Sequence, residues 1–306
     1  MPYDSVLLIA FGGPTRREEI RPFLEIVARG RRIPLARLEA VAHHYEQMPG
    51  GRSPLNELTQ AQARGLEQAL AASGLALPVF VGMRNWHPFL SETLADMAAR
   101  GHRKALGIIL SAARCEASWD RYHRDVADAR ERTPGAPEIE YALPWFDHPL
   151  FHDAVAARAR EAIATVPTTD AAWTPLVFTA HSIPIPMAAV SPYVRDLTVA
   201  SRAVARRLDH RRFSIAYQSR SGAPGDAWLE PDIGDVLRSL GTDGEKHAVV
   251  VPVGFVCDHV EVLHDLDVEA REVASTVGLT LHRASTVNDH PLFVAMLADV
   301  VHTAAA

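Results

Sequence analysis

Ala248-Val249-Val250-Val251 is a run of small and β-branched apolar residues with no polar position to turn toward water. A strand of that kind is covered on both faces, as in a parallel sheet flanked by helices and unlike a one-sided antiparallel sheet. Pro252 and Gly254 break the run, and Asp258 stands where a helix N-cap belongs. A helix continuing from there carries Glu261, Asp265 and Glu269 at i, i+4 and i+8. That spacing aligns the carboxylates on one face, above the carboxyl end of a strand, where open α/β sheets place their sites. No Lys or Arg interrupts the row, so a path for a hard cation competes with a solvated acidic face as its explanation.

The same strand–turn–helix grammar recurs along the chain. Ser5 to Ala10 is a buried strand ending in Phe11-Gly12-Gly13-Pro14, and Ala105 to Leu110 is a second strand followed by a loop through Cys115. Leu176-Val177-Phe178 is another, leading into Thr179-Ala180-His181-Ser182-Ile183-Pro184. Helical stretches fill the intervals, and Thr133-Pro134-Gly135-Ala136-Pro137 is a turn-rich break after which a second strand series opens at Ile139. The expected fold is therefore α/β, with two doubly wound parallel-sheet domains, 1–137 and 138–306, facing each other across a cleft. The last helix is free to pack back on the N-terminal domain.

Composition narrows the function classes. A formal charge of -6 weighs against a nucleic-acid surface. Cys115 and Cys257 are far apart with no CxxC pair, so neither a cysteine metal cluster nor a disulfide framework is expected. The N-terminus lacks a basic signal-peptide region and no apolar segment is long enough to span a bilayer, so a cytoplasmic protein without a membrane span is expected. No GxGxxG follows a strand, which leaves nothing in favour of NAD. His181, at the end of a buried strand, becomes a base, acid or metal ligand once paired with a glutamate of the acidic helix. Ser182 beside it suggests a serine hydrolase, but no serine sits in a GxSxG elbow. Arg29-Gly30-Arg31-Arg32 reads either as a helix C-terminus or as an anion site.

These segments resemble the ferrochelatases, enzymes that insert Fe²⁺ into a porphyrin. The resemblance rests on the His181 segment, on Tyr217-Gln218-Ser219-Arg220-Ser221-Gly222 with Trp228-Leu229-Glu230-Pro231, and on Val251 to Leu263 with Asp265-Leu266-Asp267. It extends through Phe11 to Pro14, Gly50 to Leu55 and Asn288 to Phe293, which is nearly the whole chain. It implies two Rossmann-like domains around a porphyrin cleft, with His181 and Glu261 at the iron site and Asp265 and Glu269 as an acidic path. It also implies porphyrin contacts at Phe11, Arg29, Tyr45, Ser53 and Tyr122; no motif names the porphyrin, and the expected soluble character slightly favours coproporphyrin III over protoporphyrin IX. Fe²⁺ is then a substrate, and no permanent cofactor or iron–sulfur cluster is expected. The implied partners are porphyrin and ferrous iron, with transient contact to neighbouring enzymes of heme biosynthesis. Phe11 stands where some soluble relatives carry a tyrosine able to ligate iron, and Ala28 and His44 stand where some carry arginine. A tetrapyrrole or metal carrier without turnover, and a cobalt or nickel chelatase, remain as alternatives.

Overall fold

Eight strands, each paired in parallel with its neighbours, form two four-stranded sheets in the computed structural model, which describes residues 2–30, 35–222 and 225–306. The first sheet contains β1 (Ser5–Ala10), β2 (Val79–Met83), β3 (Lys104–Ile109) and β4 (Glu138–Tyr141), in the order β2-β1-β3-β4. Its flanking helices are α1 (Ile20–Ala28), α2 (Leu35–Gln47), α3 (Leu55–Ala72), α4 (Leu90–Ala99) and α5 (Arg121–Glu131). Every residue of β1 is buried, the condition for a central parallel strand. Leu7, Ile9, Leu94 and Val126 are among the residues that close the core over one face of this sheet.

The second sheet contains β5 (Leu176–His181), β6 (Phe213–Gln218), β7 (His247–Val251) and β8 (Thr280–Arg283), in the order β6-β5-β7-β8. The helices that accompany it are α6 (Pro149–Ile163), α7 (Ile185–Ala189), α8 (Tyr193–Arg207), α9 (Ile233–Thr242), α10 (Val260–His264) and α11 (Arg271–Thr276). Val177 and Val250 of the sheet pack with Val262 and Leu266 of the acidic segment in one core cluster. Parallel neighbours require helical crossovers, so the two-sheet arrangement follows directly from the alternating strand and helix runs.

The chain divides into two units, one made of Met1–Leu110, Trp119–Leu143 and Val294–Ala306, the other of Ser111–Ser118 and Pro144–Phe293. The strand read from sequence as the opening of the second series is β4 of the first sheet, with Lys104 opposite Glu138 and Ala105 opposite Ile139. The turn at Thr133 to Pro137 therefore joins α5 to an edge strand of the same sheet. The last helix, α12 (Pro291–Ala305), returns most of its length to the first unit, where Val294 lies against Gly65 of α3 and His302 reaches Ser73 at 2.8 Å.

Candidate functional site

His181 is the last residue of β5, and its backbone pairs with Gln218 at the end of β6. The register brings two strand ends together at the carboxyl edge of the sheet, where the connection after β7 also arrives. Gly254 makes that approach possible. A Cβ there would lie 2.4 Å from the Cβ of Ala180 and 2.8 Å from its Cα, and the Gly254 N–H donates to the Thr179 carbonyl at 3.0 Å. Any side chain at 254 would lift the acidic segment off β5.

The acidic segment is not the continuous α-helix that its spacing suggests. It runs as α10, then a π-helical turn over Asp265–Ala270, then α11. In the π turn the backbone bonds i to i+5, so a four-residue spacing no longer returns to the same face. The cap is also different. His259, not Asp258, is the N-cap, its Nδ1 accepting from the Glu261 N–H at 3.2 Å. Asp258 is held instead by Arg283 of β8 at 3.2 Å, by the Thr286 N–H at 3.2 Å and by Asn288 Nδ2 at 3.1 Å. Arg283 Nε also donates to Asp267 at 2.7 Å.

Asp258 and Asp267 are thereby committed to a largely buried ion network with Arg283, apart from the acidic row. Burial would lower the Arg283 pKa, but the two carboxylates raise it instead. Arg283→Ala leaves Asp258 without its cation and Asp267 with Arg271 alone, at 3.6 Å. The expected cost is about 3 kcal/mol of folding stability, read from the urea midpoint at unchanged m value.

Glu261 remains in the site. Its Oε1 lies 3.5 Å from His181 Nε2, with the two side chains 41% and 29% exposed. His181 Nδ1 hydrogen-bonds the Ser182 carbonyl, and the Tyr193 hydroxyl donates to the His181 carbonyl at 2.8 Å. If Nδ1 carries the proton, Nε2 is the free basic atom beside Glu261. Burial pulls the His181 pKa down, but the Glu261 charge and hydrogen bond, aided by the Ser182 carbonyl and Asp265, carry it above the ordinary imidazole value. For His259 burial wins over the same carboxylates, and its pKa is lowered. The two histidines thus shift in opposite directions, His181 upward beside Glu261 and the capping His259 downward.

Asp265 follows at the start of the π turn, where Ser219 donates to its carboxylate. Gln218 donates through Nε2 to the Glu261 carbonyl. Glu269, 58% exposed at the side chain, has Oε1 3.6 Å from Nδ1 of the buried His264. The structure therefore places His181 at the end of β5 beside Glu261 of α10, with Asp265 and Glu269 further along the same segment as Glu261. Sequence reading gave no role to Tyr193, Gln218 or Ser219. Their parts depend on strand pairing and on the position of α8, neither of which has a local signal.

The remaining site residues expected from sequence belong to the first unit. Phe11 is 39% exposed at the end of β1, and Arg29 is exposed at the end of α1. Both line a cavity of about 620 Å³. Tyr45, Ser53 and Tyr122 are buried, at 6%, 5% and 6% exposure. Tyr45 meets Phe23 edge to face, Ser53 caps the turn into α3, and Tyr122 lies under the guanidinium of Arg84. Arg31 and Arg32 of the basic cluster lie outside the described residues.

The family model described as Ferrochelatase matches residues 3–305 of this chain. The coproporphyrin III ferrochelatase of Mycobacterium avium (strain 104) is 44% identical over 305 residues, spanning 98% of this chain and 88% of that protein. The coproporphyrin III ferrochelatase of Mycolicibacterium smegmatis is 41% identical over 305 residues, spanning 98% and 89%. Among solved structures, SirB from Bacillus subtilis with Fe³⁺ superposes with a TM-score of 0.60 at 13% identity, covering 99% of this chain and 95% of that one. That likeness bears on the fold.

Proposed function

The chain belongs to the ferrochelatase family, a lyase-type metal chelatase of heme biosynthesis, and on that premise we propose that its porphyrin is coproporphyrin III and that His181 and Glu261 carry the insertion. The single observation that carries the chemistry is the 3.5 Å approach of His181 Nε2 to Glu261 Oε1 at the end of β5. Insertion exchanges two pyrrole N–H protons for one Fe²⁺, so the site must accept protons while it delivers a dication. Nε2 of His181 takes a proton, and the neighbouring carboxylate stabilises the imidazolium that forms. Glu261, Asp265 and Glu269 offer hard oxygen ligands that pass a cation inward or protons outward. Phe11, Arg29, Tyr45, Ser53 and Tyr122 are the proposed macrocycle contacts. The preference for coproporphyrin III draws its support from the relatives of that name at 41–44% identity. No resident cofactor is needed for this chemistry.

Among the described residues no helix is long and apolar enough to cross a membrane. A cytoplasmic enzyme that meets its pathway neighbours transiently is the reading we adopt with the substrate.

Anaerobic Fe²⁺ supplied with coproporphyrin III or protoporphyrin IX, followed by loss of free-porphyrin fluorescence, tests the proposal. Faster turnover of coproporphyrin III supports it, preference for protoporphyrin IX overturns the substrate, and binding without turnover makes the protein a carrier. The acidic path has its own test in Asp265→Asn combined with Glu269→Gln. The Fe²⁺ concentration at half-maximal rate should rise about tenfold while porphyrin affinity holds, since losing carboxylates removes cation attraction and not macrocycle contacts. An unchanged metal titration at saturating porphyrin reduces these residues to a solvated face.

A further inference from the structure

Two histidines that the insertion chemistry does not use meet toward the opposite edge of the second sheet. His247 opens β7, whereas the acidic segment follows the other end of that strand. His282 lies on the neighbouring β8, opposite Val249 and two residues beyond the partner of His247. Side chains two residues apart share a face of a sheet, so the register turns both imidazoles to the same side. His247 Nδ1 stands 3.1 Å from His282 Nε2, with the ring planes inclined by 50°.

The outer nitrogen of each ring also has a partner. His282 Nδ1 lies 2.7 Å from the Thr165 hydroxyl, which in turn lies 2.7 Å from the Ala162 carbonyl. A carbonyl only accepts, so the hydroxyl donates its single proton there and must accept from Nδ1–H. Nε2 of a neutral His282 is then bare, with its lone pair toward His247. On the far side of His247, Nε2 is 3.6 Å from Asp170. That carboxylate favours the proton on Nε2 and so exposes the lone pair of Nδ1. Burial, then His247 and Arg271, lower the His282 pKa, so adding a proton to its Nε2 is opposed.

Two basic nitrogens are therefore directed at one point and call for an electrophile between them. Imidazole nitrogens bound at about 2.0–2.1 Å to one ion stand about 2.9–3.4 Å apart in octahedral or tetrahedral geometry, and the observed separation falls in that range. Each ring also has what a metal-bound imidazole ordinarily has, an acceptor at the nitrogen away from the metal that fixes tautomer and orientation. The His247 side chain is 17% exposed, so solvent reaches the pair and water can complete the coordination.

We propose that His247 and His282 form a second metal site, separate from the insertion site, for a divalent ion of the Zn²⁺, Ni²⁺ or Cu²⁺ class. Asp170 and Thr165 are its positioning residues. Such ions outbind Fe²⁺ at nitrogen donors, so the site discriminates against the metal that the insertion chemistry uses. Its existence does not depend on the insertion activity.

Calorimetric titration of the metal-free protein with Zn²⁺ alone tests this across the wild type, His247→Gln, His282→Gln, Thr165→Val and His181→Ala. His247→Gln and His282→Gln should each lose one equivalent of bound Zn²⁺ while iron insertion stays at the wild-type rate. His181→Ala should retain that equivalent. Thr165→Val keeps both ligands, removes the acceptor behind His282, and should weaken the same equivalent about tenfold. It alters neither histidine, so it answers the question where a histidine variant folds poorly. Unchanged Zn²⁺ binding in the histidine variants and in Thr165→Val overturns the site and leaves the pair sharing a proton. So does a wild type with no equivalent beyond the one that His181→Ala removes.

Discussion

Replacing His181 with alanine should reduce iron insertion by about 100-fold or more while the protein still folds and binds porphyrin, since a positioned base typically contributes 10²–10⁴. The expectation follows from where the side chain is spent. Its imidazole is 29% exposed and contacts Glu261 and the Ser182 carbonyl, whereas the backbone carbonyl, not the ring, holds Tyr193. Truncation therefore removes the base and leaves β5, its register with Gln218 and the α8 contact in place. Anaerobic kcat with thermal unfolding of the same preparation measures both halves of the statement. A variant with near wild-type kcat removes His181 from the chemistry, and one that fails to fold makes it a packing residue.

Glu261→Gln should lower kcat by about 100-fold and also move the acidic limb of the pH–rate profile. The sign follows from the base's role. His181 accepts a proton only when neutral, so the rate climbs with pH through its pKa. Burial lowers that pKa, but the Glu261 charge lifts it above the ordinary value. Glutamine keeps the shape and removes the charge, so the pKa falls and the climb shifts to lower pH. A reduced rate whose limb stays where the wild type has it would mean that Glu261 works without acting on His181.

Much of this site is legible without coordinates. Ala248 to Val251 and Leu176 to Phe178 can only be doubly covered strands, because neither run offers an alternate polar position, and all four residues of the first are buried. His181 therefore falls at a strand end, and the carboxylate row on the helical segment that follows another strand. The glycine at 254 is a local signal too, although what it approaches is visible only in the fold.

Three things were decided by tertiary structure. Asp258 has the residue type and position of an N-cap, but Arg283 lies 25 residues further on and holds it more strongly than a backbone N–H would. His259 takes the cap as a result. Glu261, Asp265 and Glu269 keep a four-residue spacing in sequence, yet the π turn over Asp265–Ala270 takes Glu269 off the α-helical register that Glu261 and Asp265 share. Nothing in the residues themselves distinguishes an i to i+5 bond from an i to i+4 bond. The strand at Ile139 follows a turn-rich break but pairs with β3, because an open strand edge attracts a partner regardless of the linker before it. Sequence by itself determined the buried strands and the residue types at their ends, since residue type and strand burial are local properties. Their partners depended on the fold: the carboxylate that raises the His181 pKa, the hydroxyl that holds its carbonyl and the imidazole that faces His282 are distant in the chain, and only packing brings them within reach.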